Sequence, residues 1–515
     1  MATLEETPPP QPAPAAAERA RPPLELLVFV VGSSTLGAEI AAARLMAPFF
    51  GASTIVWANT IAVVLVALSM GYYVGGRLAD HHPHLRGLCT LVLVAAALLA
   101  VVPIVAHPFL SLSVRAFDEI SVGAAAGSLF GTLALVAVPV LMLGAASPWA
   151  IRLKLQRVEE SGMTAGRLYA VGTVGSLAGT FLAALLLIPL VGTQRTFVLF
   201  ALAVSAVAAA GLPRRFWLVP LAIAALLAVP VGTVKPAEEG RVLYEAETPY
   251  QYARVVEEPD GKRKLELNEG QAVHSEWRAG TVLTGNYWDG FLVLPFAAGS
   301  DAPPRRIAIL GNAGGTTARA YARYFPSTRI DAVDIDSKLF EIGRRYFGLR
   351  PRPQLRMIAQ DARPFLRRTT ERYDAIFLDT YRQPYIPFYL TTREFFELAR
   401  ERLNPGGTIV INVGHPDDSD ALEKVLSATL RTAFPYVARD PIEPTNSLVM
   451  ASARPLTGAA LTRAPLTGAL RTLADRAAGR IGDGLRGGSV YTDDKAPVEW
   501  LVDTSIVQYA AHGER

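Results

Sequence analysis

The sequence of 515 residues holds a single cysteine, Cys89, and no CxxC pair. That excludes an intrachain disulfide framework and any cysteine-based metal or redox motif. Charge is also scarce: Asp, Glu, Lys and Arg supply 19% of the residues against 51% hydrophobic, with a net charge of only +4. No basic stripe with interleaved aromatics occurs, so the electrostatic footprint of a nucleic-acid binder is missing. The one histidine cluster, His81, His82 and His84, has no carboxylate or cysteine pattern beside it. It reads as a solvated loop in preference to a metal site, and no metal is expected.

What is present divides at about residue 234. Residues 1–23 are rich in Pro and Ala, cannot build a core, and are expected to form a disordered tail and not a cleaved leader. Residues 24–233 are dominated by long Ala, Leu and Val runs. A helix needs about 20 apolar residues to cross a bilayer. Seven candidate spans follow, at 24–47, 54–76, 87–106, 124–147, 168–191, 196–212 and 216–233, of which the last two are short. The expected partner is a lipid bilayer and the expected location a cell inner membrane, crossed several times. Arg77, Arg86, Arg152, Lys154, Arg157, Arg167, Arg214 and Arg215 fall in alternate loops. That bias puts the N-terminus in the cytoplasm. Glu39 and Arg44 lie inside the first span; they are a structural pair locking helices, a snorkelling arginine, or a functional site. Gly71-xxx-Gly75 and Gly175-xxx-Gly179 point to close helix packing.

From residue 241 charges return and the periodicity changes. Residues 241–300 read as a small β unit, with alternating runs at 250–258 and 263–268 around the turn Pro259-Asp260-Gly261-Lys262. Residues 301–515 alternate strand and helix. Strands are expected at 306–310, 329–334, 355–359, 374–379, 407–413 and 447–452, and helices at 315–324, 337–346, 362–369, 391–403 and 419–433. Such alternation gives a mostly parallel, Rossmann-like α/β domain of the methyltransferase type, which binds ligands at the carboxyl ends of its strands. The predicted fold is therefore a multi-spanning helical membrane domain, a small β unit and a Rossmann-like nucleoside-binding domain.

Those strand ends carry the candidate site. Gly311, Gly314 and Gly315 form a turn through which backbone can approach a nucleoside, although the spacing is not GxGxxG. Asp334, closing the second strand, is placed to accept hydrogen bonds from ribose hydroxyls. Asp336 and Asp361 are either cofactor contacts or caps of the helices that follow them. Asp379 ends the apolar run YDAIFLD and is either a proton acceptor for an amine nucleophile or a loop-holding carboxylate. The aromatic stretch TYRQPYIPFYL after it is a candidate substrate wall.

Several segments, in order, resemble the spermidine/spermine synthase family of aminopropyltransferases, in its membrane-fused bacterial branch. They are Pro249-Tyr250-Gln251, LELNEGQAVHSE, ILGNAGGTTAR, DAVDID, QDAR, YDAIFLDT, LTTREFFELARERLNPGGTIVIN and the closing TDDKAPVE. GAEIAAARLMAPFFG and GRLYAVGTVGSLAGT are similar to the helical half of that branch. The resemblance implies transfer of an aminopropyl group from decarboxylated S-adenosylmethionine to putrescine or another small amine, with a homodimer as an assembly to expect. By matching position, Asp379 would accept the proton, Asp334 would hold ribose, Asp361 and Ala362 would border adenine, and Gln251 would contact the nucleoside. Tyr381, Arg382 and Trp288 would lie on the acceptor side. Three positions depart from the family pattern: Gly314 stands for an aspartate, Trp288 for a histidine, and Arg382-Gln383 for an acidic residue before Pro384. S-adenosylmethionine-dependent methyl transfer to another acceptor is the alternative enzyme reading. A non-catalytic nucleoside or polyamine sensor, or a transporter, is the alternative of another class.

Overall fold

The computed structural model describes residues 23–505, apart from 52–53, 118–122, 156, 230–233, 238, 269–271, 382–384, 416–418 and 503. Residues 1–22 of the expected tail (1–23) and the candidate residue Arg382 therefore lie outside the described residues.

The N-terminal half is helical: α1 (Leu24–Phe50), α2 (Thr54–His81), α3 (Leu85–Phe117), α4 (Gly123–Leu135), α5 (Ala137–Gly144), α6 (Ala146–Lys154), α7 (Ser161–Phe181), α8 (Ile188–Val191), α9 (Thr193–Ala210) and α10 (Leu218–Leu226). Five of the described helical stretches are long and apolar enough to cross a membrane. A sixth arises if the pair Ala126–Leu135 and Ala137–Lys154, bent by 51°, counts as one passage. Among the described residues, the seventh expected span, 216–233, holds the nine-residue α10 and not one long helix. Gly211, after α9, lies against Cys89 at the start of α3, while the start of α9 meets Glu247, so the chain returns to the opposite face after α9.

The glycine pairs pack helices as their spacing suggested. A Cβ on Gly175 or Gly179 of α7 would strike the Phe29 or Ser33 carbonyl of α1, so the two backbones touch, running parallel. The start of α1 shares a face with the ends of α2 and α6. There Glu25 meets Lys154 and, at 3.4 Å, Arg167, while Asp80 meets Arg152 at 3.3 Å. The opposite face carries the rest of the chain. Arg44 near the end of α1, Thr54 at the start of α2 and Thr193 at the start of α9 contact Pro249, Glu499 and Glu247 respectively.

The small β unit is an antiparallel meander of β1 (Arg241–Glu247), β2 (Tyr252–Glu257), β3 (Arg263–Leu267) and β4 (Val273–Trp277), ordered 1-2-3-4. A short helix, α11 (Gly290–Val293), leads into the large sheet. Its strands are β5 (Arg306–Leu310), β6 (Arg329–Asp334), β7 (Leu355–Ala359), β8 (Tyr373–Leu378), β9 (Leu403–Gly414), β10 (Tyr436–Glu443), β11 (Asn446–Ser452) and β12 (Gly482–Asp483). They are ordered 12-10-11-9-8-5-6-7, and β9-β8-β5-β6-β7 are parallel. Helices α12 (Thr316–Tyr324), α13 (Ser337–Tyr346), α14 (Ala362–Arg368), α15 (Arg393–Glu401) and α16 (Ala421–Ala433) make the crossovers. The Rossmann-like expectation holds, and an antiparallel β10–β11 hairpin extends it. The sheet is buried on both faces, with Ile307, Ile309 and Phe377 in one core and Ala308, Ile376 and Leu378 in the other. Strand order reverses between β5 and β8, so the crevice outside their carboxyl ends is where this topology binds ligands.

Candidate active site

The glycine turn follows β5 at that crevice. Gly311 has φ +89, and a Cβ there would collide with the carbonyl of Asp379, so only glycine fits between β5 and β8. The turn is held from below. Gly311 N and Asn312 N donate to the Val333 carbonyl at 2.9 and 3.0 Å, and Gly315, also at φ +89, begins α12.

Asp334 supports the same turn. One carboxylate oxygen accepts Ala313 N–H at 2.8 Å and the other accepts Asp336 N–H at 3.0 Å. Burial pushes its carboxyl up to about 6, against these backbone donors, which pull it down. Its predicted position at the end of the second strand is realised, and it braces the turn in addition to facing the crevice. Asp336 does cap α13, accepting Lys338 N–H at 3.0 Å. Its other oxygen lies 2.7 Å from Thr248 Oγ1 and accepts Gln251 Nε2 at 3.4 Å. Gln251 is buried and reaches the site through Asp336. Asp361 also caps its helix, accepting Arg363 N–H at 2.9 Å, and takes a 2.5 Å hydrogen bond from Tyr389 OH. Ala362 beside it is buried. For both aspartates the capping alternative is fulfilled, and both stand on the ligand-binding edge.

Asp379, directly after β8, gathers three donors: Tyr287 OH at 3.1 and 3.2 Å, Trp288 Nε1 at 3.2 Å and Asn412 Nδ2 at 2.9 Å. Burial pushes its carboxyl up to about 6, and the three hydrogen bonds oppose the rise. Such an aspartate is ionised at neutral pH yet more basic than an exposed one, which suits proton acceptance. Tyr381 forms the adjoining wall: its hydroxyl donates to the Asn412 carbonyl at 3.1 Å and accepts Gly414 N–H at 2.6 Å.

Two sequence expectations change here. Trp288 is 3% exposed and stacks on Tyr287 with centroids 4.4 Å apart. Its indole N–H donates to Asp379, so it helps hold the carboxylate. Gly314 does not leave a gap where the family has an aspartate. Its N–H donates to Ser275 Oγ at 2.8 Å, and a Cβ there would stand 3.0 Å from Ser275 Cβ and 3.2 Å from the Phe347 ring. Ser275 and Phe347 would have to shift by a few tenths of an ångström to admit even a Cβ. Asn412 was not singled out from sequence, and Tyr287 was read only as the residue before Trp288; the asparagine ending the apolar run TIVIN was the available signal for the first. Among the described residues, no group of three or more His, Cys, Asp or Glu side chains is arranged to hold a metal ion.

Residues 292–453 match the family model described as "Spermine/spermidine synthase domain". Among curated proteins, a probable polyamine aminopropyl transferase of Bifidobacterium longum is 31% identical over 218 residues, 41% of this chain and 48% of the relative. A polyamine aminopropyltransferase of Vibrio vulnificus is 35% identical over 134 residues, 25% of this chain and 44% of the relative. One from Saccharolobus solfataricus is 29% identical over 202 residues, covering 38% and 64%. The chain thus spans about half the length of the first two relatives. Among solved structures, a probable spermidine synthase from Corynebacterium glutamicum aligns with TM-score 0.37 and 21% identity over 49% of this chain and 98% of that one. Spermidine synthase from Thermotoga maritima aligns with TM-score 0.35 and 18% identity over 41% and 73%.

Proposed function

We propose that this chain, which carries a spermine/spermidine synthase domain, is a multi-pass membrane aminopropyltransferase that uses decarboxylated S-adenosylmethionine and a small amine such as putrescine. The observation that carries the reading is Asp379. It is a buried, donor-held carboxylate beside a glycine turn at the point where strand order reverses. The nucleoside would lie along Gly311–Gly315, with ribose near Asp334 and adenine near Asp361 and Ala362. The amine nitrogen attacks the aminopropyl carbon bonded to the sulfonium. A C–N bond forms, the C–S bond breaks, and its electron pair neutralises sulfur, leaving methylthioadenosine. The proton lost from nitrogen goes to an Asp379 oxygen. Its acidity rises as positive charge builds on the attacking nitrogen, so a carboxyl near 6 is a useful acceptor. The four carboxylates Asp334, Asp336, Asp361 and Asp379 also favour a sulfonium and an ammonium over neutral ligands.

One observation favours a second reading, methyl transfer from S-adenosylmethionine to another acceptor. Glycine stands at 314, tightly flanked by Ser275 and Phe347, where the family resemblance places a carboxylate for the aminopropyl amine. A carboxylate there would repel the amino-acid carboxyl of S-adenosylmethionine, and its absence removes that barrier. Incubation of the purified protein with putrescine and decarboxylated S-adenosylmethionine separates the two. Methylthioadenosine release supports aminopropyl transfer; no product together with tight S-adenosylmethionine binding supports methyl transfer.

A further inference from the structure

We infer that Arg44, on the first apolar helix, is a positioning residue for the nucleoside site, acting through the loop 247–251. The loop is tied to the helical domain at two points. The Arg44 guanidinium donates to the Pro249 carbonyl. The Glu247 carboxylate accepts the Thr193 backbone N–H at 2.8 Å and also its hydroxyl, at the start of α9.

Inside the loop Thr248 is the hub. Its Oγ1 accepts Tyr250 N–H at 3.1 Å and Gln251 N–H at 3.0 Å, and lies 2.7 Å from Asp336. Asp336 donates its N–H to Asp334, and Asp334 accepts from Ala313 in the glycine turn. Hydrogen bonds, continued through the Pro249–Tyr250 peptide, therefore join a helix of the apolar half to the turn where the nucleoside would sit. Thr248, Gln251, Asp334 and Asp336 are all at most 9% exposed, so water does not readily replace a link among them, while the Arg44–Pro249 bond that anchors the loop is exposed.

An arginine in an apolar helix is retained at a cost, and it is expected to meet a partner. Here one partner is a carbonyl two residues from Gln251, and the Arg44 charge also acts on the Glu247 carboxylate of the same loop. Loss of Arg44 frees one side of the loop, and the freed motion reaches Gln251 and Asp336 before it reaches Asp379. Nucleoside affinity should suffer while the chemical step is spared.

The inference rests on the adenosyl-site reading and is tested on the full-length protein in lipid nanodiscs. Methylthioadenosine binding is measured by calorimetry for the wild type, Arg44→Gln, Arg44→Lys, and Arg77→Gln, which lies on the far face. The expected result is affinity weakened about tenfold in Arg44→Gln, the loss of one charge-assisted hydrogen bond. Partial recovery is expected in Arg44→Lys and no change in Arg77→Gln. In turnover, KM for the nucleoside should rise with kcat held within about twofold. Should Arg44→Gln fail to fold, Thr193→Val, which removes the hydroxyl on Glu247, carries the same prediction with a smaller shift. Equal affinity in the wild type and the folded loop-release variants would overturn the inference. No binding by the wild type would overturn the adenosyl site itself, and this inference with it.

Discussion

Replacing Asn412 with leucine removes one donor from Asp379 and little else. The asparagine is 4% exposed, and leucine keeps nearly its volume. The Tyr381 hydroxyl bonds the Asn412 backbone carbonyl, so the neighbouring wall stays in place. At 2.9 Å the Asn412 amide makes the shortest of the three side-chain hydrogen bonds to Asp379. A hydrogen bond to a charged group is worth about 1.5–3 kcal/mol, and one pH unit corresponds to about 1.4 kcal/mol. With Tyr287 and Trp288 still donating, the lower end applies. The carboxyl, pushed up to about 6 by burial, should then rise by about one unit. The sign follows from the chemistry. The carboxylate is the form that accepts the proton, so activity falls as pH drops through this value. Loss of a donor that favours the carboxylate must move the acid limb of kcat/KM to higher pH, from about 6 to about 7. The assay is methylthioadenosine release, resolved by chromatography, between pH 5 and 9. An acid limb that stays in place, or moves down, would refute the assignment of Asp379 as the proton acceptor.

Other outcomes follow from the same geometry. Asp379→Asn should reduce turnover by about two orders of magnitude or more while methylthioadenosine affinity stays within a few-fold; unchanged turnover rules out a proton-accepting role. Gly311→Ala should lower stability by about 1–3 kcal/mol, because a positive-φ residue gains a Cβ aimed at the Asp379 carbonyl. A thermal midpoint equal to wild type would contradict that packing. Gly314→Asp should be destabilising alone and be partly rescued by Ser275→Gly, since Ser275 fills the required space; additive losses in the double variant would show that Ser275 is not the obstacle. The domain that carries the site lies on the face opposite Arg77, Arg152, Lys154 and Arg167. By charge bias a C-terminal reporter should read the non-cytoplasmic side. A cytoplasmic reading would mean that domain chemistry overrides the bias.

Much of the Rossmann-like domain was legible because its strands are short, continuous apolar runs bounded by glycine or acid. Expected strands 306–310, 329–334 and 355–359 coincide with β5, β6 and β7. β10 was missed since Arg439, Asp440, Pro441 and Glu443 interrupt its pattern; pairing with β11 and the ion pair of buried Asp440 with the half-buried Arg480 make it a strand. At 216–233 the described helix, Leu218–Leu226, is shorter than the expected span, because apolar composition does not reveal where a helix stops. In the site, the backbone positions of Asp334, Asp336, Asp361 and Asp379 were evident from strand endings. Their partners were not. Trp288 and Asn412 meet Asp379 from 91 and 33 residues away, and Arg44 meets Pro249 across 205. Such contacts are products of topology and leave no local pattern.

The central claim is that Asp379 and the glycine turn perform aminopropyl transfer. Its most direct test is to supply full-length protein with decarboxylated S-adenosylmethionine and putrescine, quantifying both products by mass spectrometry. The prediction is methylthioadenosine and an aminopropylated amine in equal amounts, abolished in Asp379→Asn. Nucleoside bound without either product, or product formation undiminished in Asp379→Asn, would contradict it.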